Sequence, residues 1–148
     1  MDLNAILRPE CTVFAIPGSK KKALELIGDI ASAEYSNLSS QEIFENLIAR
    51  EKMGSTGIGN GIAIPHGSLK DLTAPVAILM KCQEPIPFEA IDNQNVDIIF
   101  ALLVPAEQSS EEHLAILSAM AKKLSDKQVV KQLRKAKDET ELYQVIIS

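Results

Sequence analysis

The sequence predicts an α/β domain, a mixed β-sheet flanked by helices on both faces, and three observations carry that reading. Pro75 to Met80 and Val96 to Val104 are nearly continuous apolar runs, the pattern of strands covered on both sides. Helical stripes of apolar residues stand before and after these runs, so the two element types interleave along the chain. Capping signals then mark where the helices begin, with Ser39 three residues ahead of Glu42, Ser109 three ahead of Glu112 and Asp138 three ahead of Glu141.

Taken in order, Thr12 to Ile16 reads as a first strand closed by Pro17-Gly18. Ser19 caps a helix whose Leu24, Ile27, Ile30 and Ala31 fall on one face. A second helix follows Ser39, with Ile43, Phe44, Leu47 and Ile48 as its stripe, and runs toward Arg50 and Met53. Five of the seven glycines lie between positions 54 and 67, around the apolar run Ile62-Ala63-Ile64 and the sequence Pro65-His66-Gly67. After the two apolar strands, Ser109 opens a helix carrying Leu114, Leu117, Ala121 and Leu124, with His113 in its first turn. Lys127 to Ala136 and Thr140 to Ile147 read as two closing helices. The strand order is not legible at this level, but both histidines follow apolar runs, and strand ends are where such folds bind ligands.

At 148 residues with 46% hydrophobic side chains the chain has the size and composition of one globular domain spanning 1–148. Fifteen basic against twenty acidic residues give a net charge of −5. No dominant basic stripe is evident, which argues against nucleic acid as a partner. The local cluster Lys20-Lys21-Lys22 reads as a solvated turn. No apolar run is long enough to span a membrane and the Met-Asp-Leu-Asn start lacks the features of a signal peptide, so a cytoplasmic protein is expected. Cys11 and Cys82 stand alone and read as reduced structural thiols.

The glycine-rich segment is the first functional candidate, because repeated glycine permits positive φ and close backbone approach, as an anion cradle needs. It is not a nucleotide loop of the common kinds. Asn60 follows Gly59 where a Walker loop carries Lys, and Gly57-x-Gly59-x-Gly61 has the wrong spacing and follows a helix rather than a strand. No pair of His and Cys has metal-ligand spacing, so no metal is expected. No G-x-S-x-G elbow is present for a serine hydrolase. What remains is histidine as a nucleophile toward phosphorus, for which a neutral imidazole nitrogen is both basic enough and a good enough leaving group. Arg50 and backbone N–H groups of the glycine segment would supply the positive potential. His113, near the positive end of its helix, would donate to a phosphoryl oxygen or orient His66, its alternative being a solvated first-turn residue.

The run from Arg50 through Gly67, together with Ile91-Asp92-Asn93-Gln94, Phe100 to Ala106 and His113-Leu114, resembles enzyme IIA (EIIA) domains of the fructose/mannitol type from the bacterial phosphoenolpyruvate-dependent phosphotransferase system, and most of all their nitrogen-regulatory branch. The resemblance implies that His66 is phosphorylated on Nε2, without a cofactor, by a small HPr-like phosphocarrier charged by an enzyme I. It also implies that His113 is the second active-site histidine, that Arg50 stabilises the phosphoryl group, and that Thr56, Gly57 and Asn60 support its pocket. Asn60 stands where some sugar-transport members carry a glutamate. The downstream partner would be a regulated target, such as a sensor kinase or potassium transporter, or else a IIB protein if the role is sugar transport. A pure interaction domain is the third reading.

Overall fold

A computed structural model describes residues 2–148. After a single 3-10 turn at Leu3–Ala5 come strand β1 (Leu7–Ala15), helices α1 (Lys20–Glu34) and α2 (Ser40–Lys52), and three short strands, β2 (Gly57–Gly59), β3 (Ile62–Ala63) and β4 (His66–Leu69). The long strands β5 (Val76–Ile86) and β6 (Val96–Pro105) follow, then α3 (Ser110–Leu124), α4 (Lys127–Lys135) and α5 (Glu139–Ile147). The sheet runs β1-β5-β6-β3-β2, with β4 also paired to β6. It is mixed: β1 lies parallel to β5, β5 antiparallel to β6, and β3 and β4 parallel to β6.

The two apolar runs are the centre of this sheet, as expected. Ile98 to Val104 are buried without a break, as are Val76 to Met80, so the sheet has cover on both faces. The helices form two packed groups, α1 against α2 and α4 against both α3 and α5. Each expected cap is made: Ser19, Ser39, Ser109 and Asp138 accept from the backbone N–H groups of Lys22, Glu42, Glu112 and Glu141. Asp126 caps α4 in the same way.

Four expectations are corrected. The first strand begins at Leu7 rather than Thr12 and ends before Ile16, which is exposed. Its Pro9 is tolerable because β1 is an edge strand whose register shifts between Leu7 and Thr12. The strand expected at 75–80 continues to Ile86, past an irregularity after Lys81. Lys20 is not solvated; its side chain is 15% exposed and paired with a buried acid. Finally, a basic row does exist, because α4 brings Lys127, Lys131 and Lys135 to i, i+4 and i+8.

The glycine-rich segment is built around the edge of β6. β3 pairs with Ile98 and Ile99, and β4 pairs with Leu102 to Pro105, so the two form one interrupted neighbour of β6, with Ile64-Pro65 as the interruption. His66 is the first residue beyond that break, opposite Leu102 near the carboxyl end of β6. On the far side of β4 no strand among the described residues continues the sheet. Instead Asn46 of α2 accepts from Ser68 N at 3.0 Å and donates to Ser68 O at 2.8 Å, which satisfies the exposed strand edge as another strand would. Gly67 makes this clamp possible, since a Cβ there would lie 1.9 Å from Asn46 Oδ1.

Candidate active site

His66, His113 and Arg50 come from three different elements and meet. His66 opens β4, Arg50 lies in the last turn of α2, and His113 lies in the first turn of α3, reached directly from β6. The two imidazole rings stand edge to face with centroids 5.7 Å apart. Arg50 Nε donates to His66 Nε2 at 3.2 Å, and its Nη1 donates to the Gly54 carbonyl at 2.9 Å. His66 Nδ1 lies 2.9 Å from the Ile64 carbonyl. A carbonyl only accepts and a guanidinium only donates. The His66 proton therefore belongs on Nδ1, and Nε2 carries a lone pair aimed toward Arg50.

Electrostatics hold that tautomer neutral. Burial is the largest cause keeping His66 below the ordinary 6.5, and the Arg50 and His113 charges act in the same direction; the Ile64 hydrogen bond and Glu51 oppose them. Burial also lowers His113. Its Nε2 is enclosed without a hydrogen-bond partner, the condition of a polar atom suited to a ligand. A pH dependence follows from these directions. Below pH 6.5 the unfolded chain takes up protons that the folded histidines resist, so stability falls as pH drops from 6.5 toward the lowered folded values. Urea unfolding on either side of pH 6.5 should show that loss, and a His66→Gln/His113→Gln variant should show less of it. An unchanged acid dependence in that variant would assign the effect elsewhere.

Thr56, Gly57 and Asn60 are placed differently from the two histidines and Arg50. The Thr56 hydroxyl and backbone N–H both bind the Glu51 carboxylate, and the Thr56 carbonyl accepts from Ile64 N. Gly57 is buried against Ala90, whose Cβ leaves no room for a side chain. Asn60 forms the tip of the β2–β3 turn with φ 56°, between Gly59 at 98° and Gly61 at 79°, a left-handed run that favours glycine and asparagine. Its N–H binds Asp92 and its carbonyl binds Arg134. Much of the backbone of the glycine-rich segment is thus engaged inside the protein. The N–H groups of Gly54, Thr56, Gly57, Asn60 and Ile64 all donate within the protein. These glycines serve turns and close packing.

Sequence reasoning missed the group beneath the site. Glu51 follows Arg50 on α2 and is 6% exposed. It accepts from Lys20 Nζ at 2.9 Å and Thr56 N at 3.1 Å. Lys20 also reaches the Phe88 carbonyl at 3.3 Å and lies over the Phe88 ring, while Ser55 donates to the same carbonyl. The turn from Gly54 to Thr56, which supplies the carbonyl that holds Arg50, is thus tied to α1, α2 and the Phe88 loop. A signal for it was present, since an acid in the last turn of a helix opposes the macrodipole and needs a compensating partner.

Both cysteines are buried away from this cluster's hydrogen bonds, and burial raises their thiols to about 11 for Cys11 and about 12 for Cys82, which suits inert packing groups. Among the described residues no three His, Cys, Asp or Glu side chains gather to hold a metal. Among them, too, no helix is long and apolar enough to cross a membrane.

This fold and its whole length of sequence define a class: the chain belongs to the EIIA type 2 family of the phosphoenolpyruvate-dependent sugar phosphotransferase system, whose family model matches residues 5–148. Members of that family are phosphotransferase components. Within it the chain is similar to the nitrogen regulatory protein of Klebsiella oxytoca, 51% identical over 148 residues that cover 99% of this chain and 90% of the relative. It also superimposes on the crystal structure of nitrogen regulatory protein IIA-Ntr from Neisseria meningitidis with a TM-score of 0.89 and 37% identity, covering 97% of this chain and 98% of that one. The mannitol IIA of Escherichia coli shares the fold at a TM-score of 0.75 and 17% identity, covering 93% and 96%.

Proposed function

We propose that the protein is a cytoplasmic phosphohistidine carrier that takes a phosphoryl group on His66 Nε2 from an HPr-like phosphocarrier and uses its phosphorylation state as a regulatory signal. The observation that carries this reading is the hydrogen-bond pattern of His66, with Nδ1–H on the Ile64 carbonyl and Nε2 facing a guanidinium. In the transfer, the Nε2 lone pair forms the new N–P bond while the donor's N–P bond breaks and its electron pair returns to the donor nitrogen. A donor ring protonated on its other nitrogen leaves as neutral imidazole. The His66 ring takes up positive charge, which the Ile64 carbonyl stabilises through Nδ1–H. Arg50 moves its N–H from Nε2 to a phosphoryl oxygen, where the loose transition state concentrates charge. His113 Nε2, buried and without a partner, donates to a second oxygen when protonated there. Thr56 and Gly57 act one step back, by fixing the turn that positions Arg50, and Asn60 acts through the β2–β3 turn.

A protein partner suits the surroundings. Met53 beside the Gly54 turn is 82% exposed, Ile91 is 86% exposed, and Leu114 next to His113 and Ile58 on β2 are also exposed. Exposed apolar side chains such as Met53 beside the Gly54 turn and Leu114 beside His113 are what a carrier's docking face would cover. The regulatory assignment draws on the much higher identity to nitrogen regulatory proteins than to the mannitol IIA. Phosphorylation adds roughly −1.5 to −2 charges at this face, enough to switch the binding of a target such as a sensor kinase or potassium transporter. The test is intact mass after incubation with phosphoenolpyruvate, enzyme I and an HPr-like carrier. One acid-labile phosphoryl group is expected, and it should not pass to a fructose- or mannitol-type IIB protein. No adduct would overturn the carrier reading, and efficient transfer to IIB would replace regulation with sugar transport.

A further inference from the structure

The charge of this chain is divided unevenly. Seven of the fifteen Lys and Arg residues lie between positions 122 and 137, against one of the twenty acids, so this stretch carries +6 and the remainder −11. α4 arranges part of that charge into a row. Lys127, Lys131 and Lys135 recur every fourth residue, are exposed, and make no ion pair or side-chain hydrogen bond among the described residues. The one acid in the stretch, Asp126, is engaged in capping the helix. Like charges at i, i+4 destabilise an isolated helix, and Lys127 additionally faces the positive end of the macrodipole. Lys135, in the last turn, is favoured by the dipole, but no ion pair among the described residues relieves the repulsion along the row. It borders a groove of about 410 Å³ whose lining also includes Leu124, Val130 and Arg134.

From this row and groove we propose that the exposed face of α4 docks an acidic segment of a partner protein, separately from the phosphoryl site. The dimensions favour a polypeptide. Eight residues of helix span about 12 Å, with successive lysines about 6 Å apart. A single small anion cannot reach all three ammonium groups. Carboxylates on an acidic helix at i, i+4 and i+8 repeat at the same spacing, and those on alternate residues of a strand come close to it. A long polyanion such as a nucleic acid fits less well, since it would run beyond the row onto a body of net −11 and be repelled. None of His66, His113 and Arg50 lines the groove; Asn60 does, so docking on α4 meets the β2–β3 turn and leaves those three side chains free.

The experiment uses the full chain and a fluorescein-labelled synthetic helical peptide with Glu at every fourth position, followed by fluorescence anisotropy at low and physiological salt. Expected is saturable binding that weakens with salt, and a loss of at least about tenfold in affinity for Lys127→Gln/Lys131→Gln/Lys135→Gln. The variant should unfold at a urea midpoint no lower than that of wild type, since repulsion is removed, and accept phosphate as before. Lys21→Gln/Lys22→Gln, which alters exposed lysines on α1, should bind like wild type. Equal weakening in both variants would overturn the proposal as generic charge attraction, as would absence of binding by the wild type. Tighter binding of a single-stranded oligonucleotide of equal charge would replace the acidic peptide with a nucleic acid.

Discussion

Replacing His66 with alanine is expected to abolish phosphoryl acceptance while leaving the fold nearly as stable as wild type. The first half follows from the nitrogen atoms available. Nε2 of His66 is the one imidazole nitrogen here with both a lone pair fixed by a hydrogen bond on the opposite ring atom and a guanidinium N–H directed at it. Removing the ring removes the bond-forming electron pair, and no neighbouring donor can substitute for a nucleophile. The second half follows from what the ring contributes to folding, namely two hydrogen bonds at a half-buried position opposite Leu102, a loss of about 1 kcal/mol. His113→Ala is expected to behave differently, retaining the adduct but forming it about 10²-fold more slowly, the scale seen when one transition-state donor is lost. Intact mass and a time course on the two variants separate these roles. An adduct that survives in His66→Ala and vanishes in His113→Ala would exchange them.

The parts of the fold legible in the sequence were those whose causes are local. Ser19, Ser39, Ser109 and Asp138 announce their helices because a cap bonds an N–H three residues on, and that spacing is written in the chain. β6 and the first half of β5 are legible because burial on both faces imposes an apolar residue at nearly every position, whereas Lys81 to Pro85, polar or exposed at most positions, hide the strand's continuation. β2, β3 and β4 are not, because strands of two to four residues owe their existence to pairing with each other and with β6, across up to 36 positions. The site divides along the same line. His66, Arg50 and His113 could be named from residue type and resemblance, whereas the roles of Thr56, Gly57 and Asn60 run through backbone bonds that sequence does not display. Lys20 was misjudged for a related reason: beside Lys21 and Lys22 it looks solvated, and only the packing of α1 on α2 brings it to Glu51.

That packing makes Glu51 the side chain whose loss should weaken the fold most among those near the site. Its carboxylate holds one ammonium, one backbone N–H and one hydroxyl in a place closed to water. Glu51→Ala leaves the Thr56 N–H and hydroxyl without their acceptor and Lys20 with only the Phe88 carbonyl and the exposed Glu89 carboxylate, and breaking a buried pair from one side costs about 3 kcal/mol, the lower end of the usual range because Lys20 keeps these partners and some contact with solvent. The damage should also reach the chemistry. Once Thr56 is released, the turn carrying the Gly54 carbonyl no longer fixes Arg50, so phosphoryl acceptance should slow even at a temperature where the variant remains folded. Glu51→Gln separates the two contributions, since an amide oxygen can still accept from Thr56 N while the charge facing Lys20 is gone. Lys20→Met combined with Glu51→Gln should then be less destabilised than the two single changes summed, because the pair is removed together. Urea unfolding gives the stabilities, and hydrogen exchange at the Thr56 amide reports the turn directly. A stability change in Glu51→Ala no larger than that of an exposed glutamate, with Thr56 still protected, would mean that the turn is held by the Ser55 and Phe88 contacts instead.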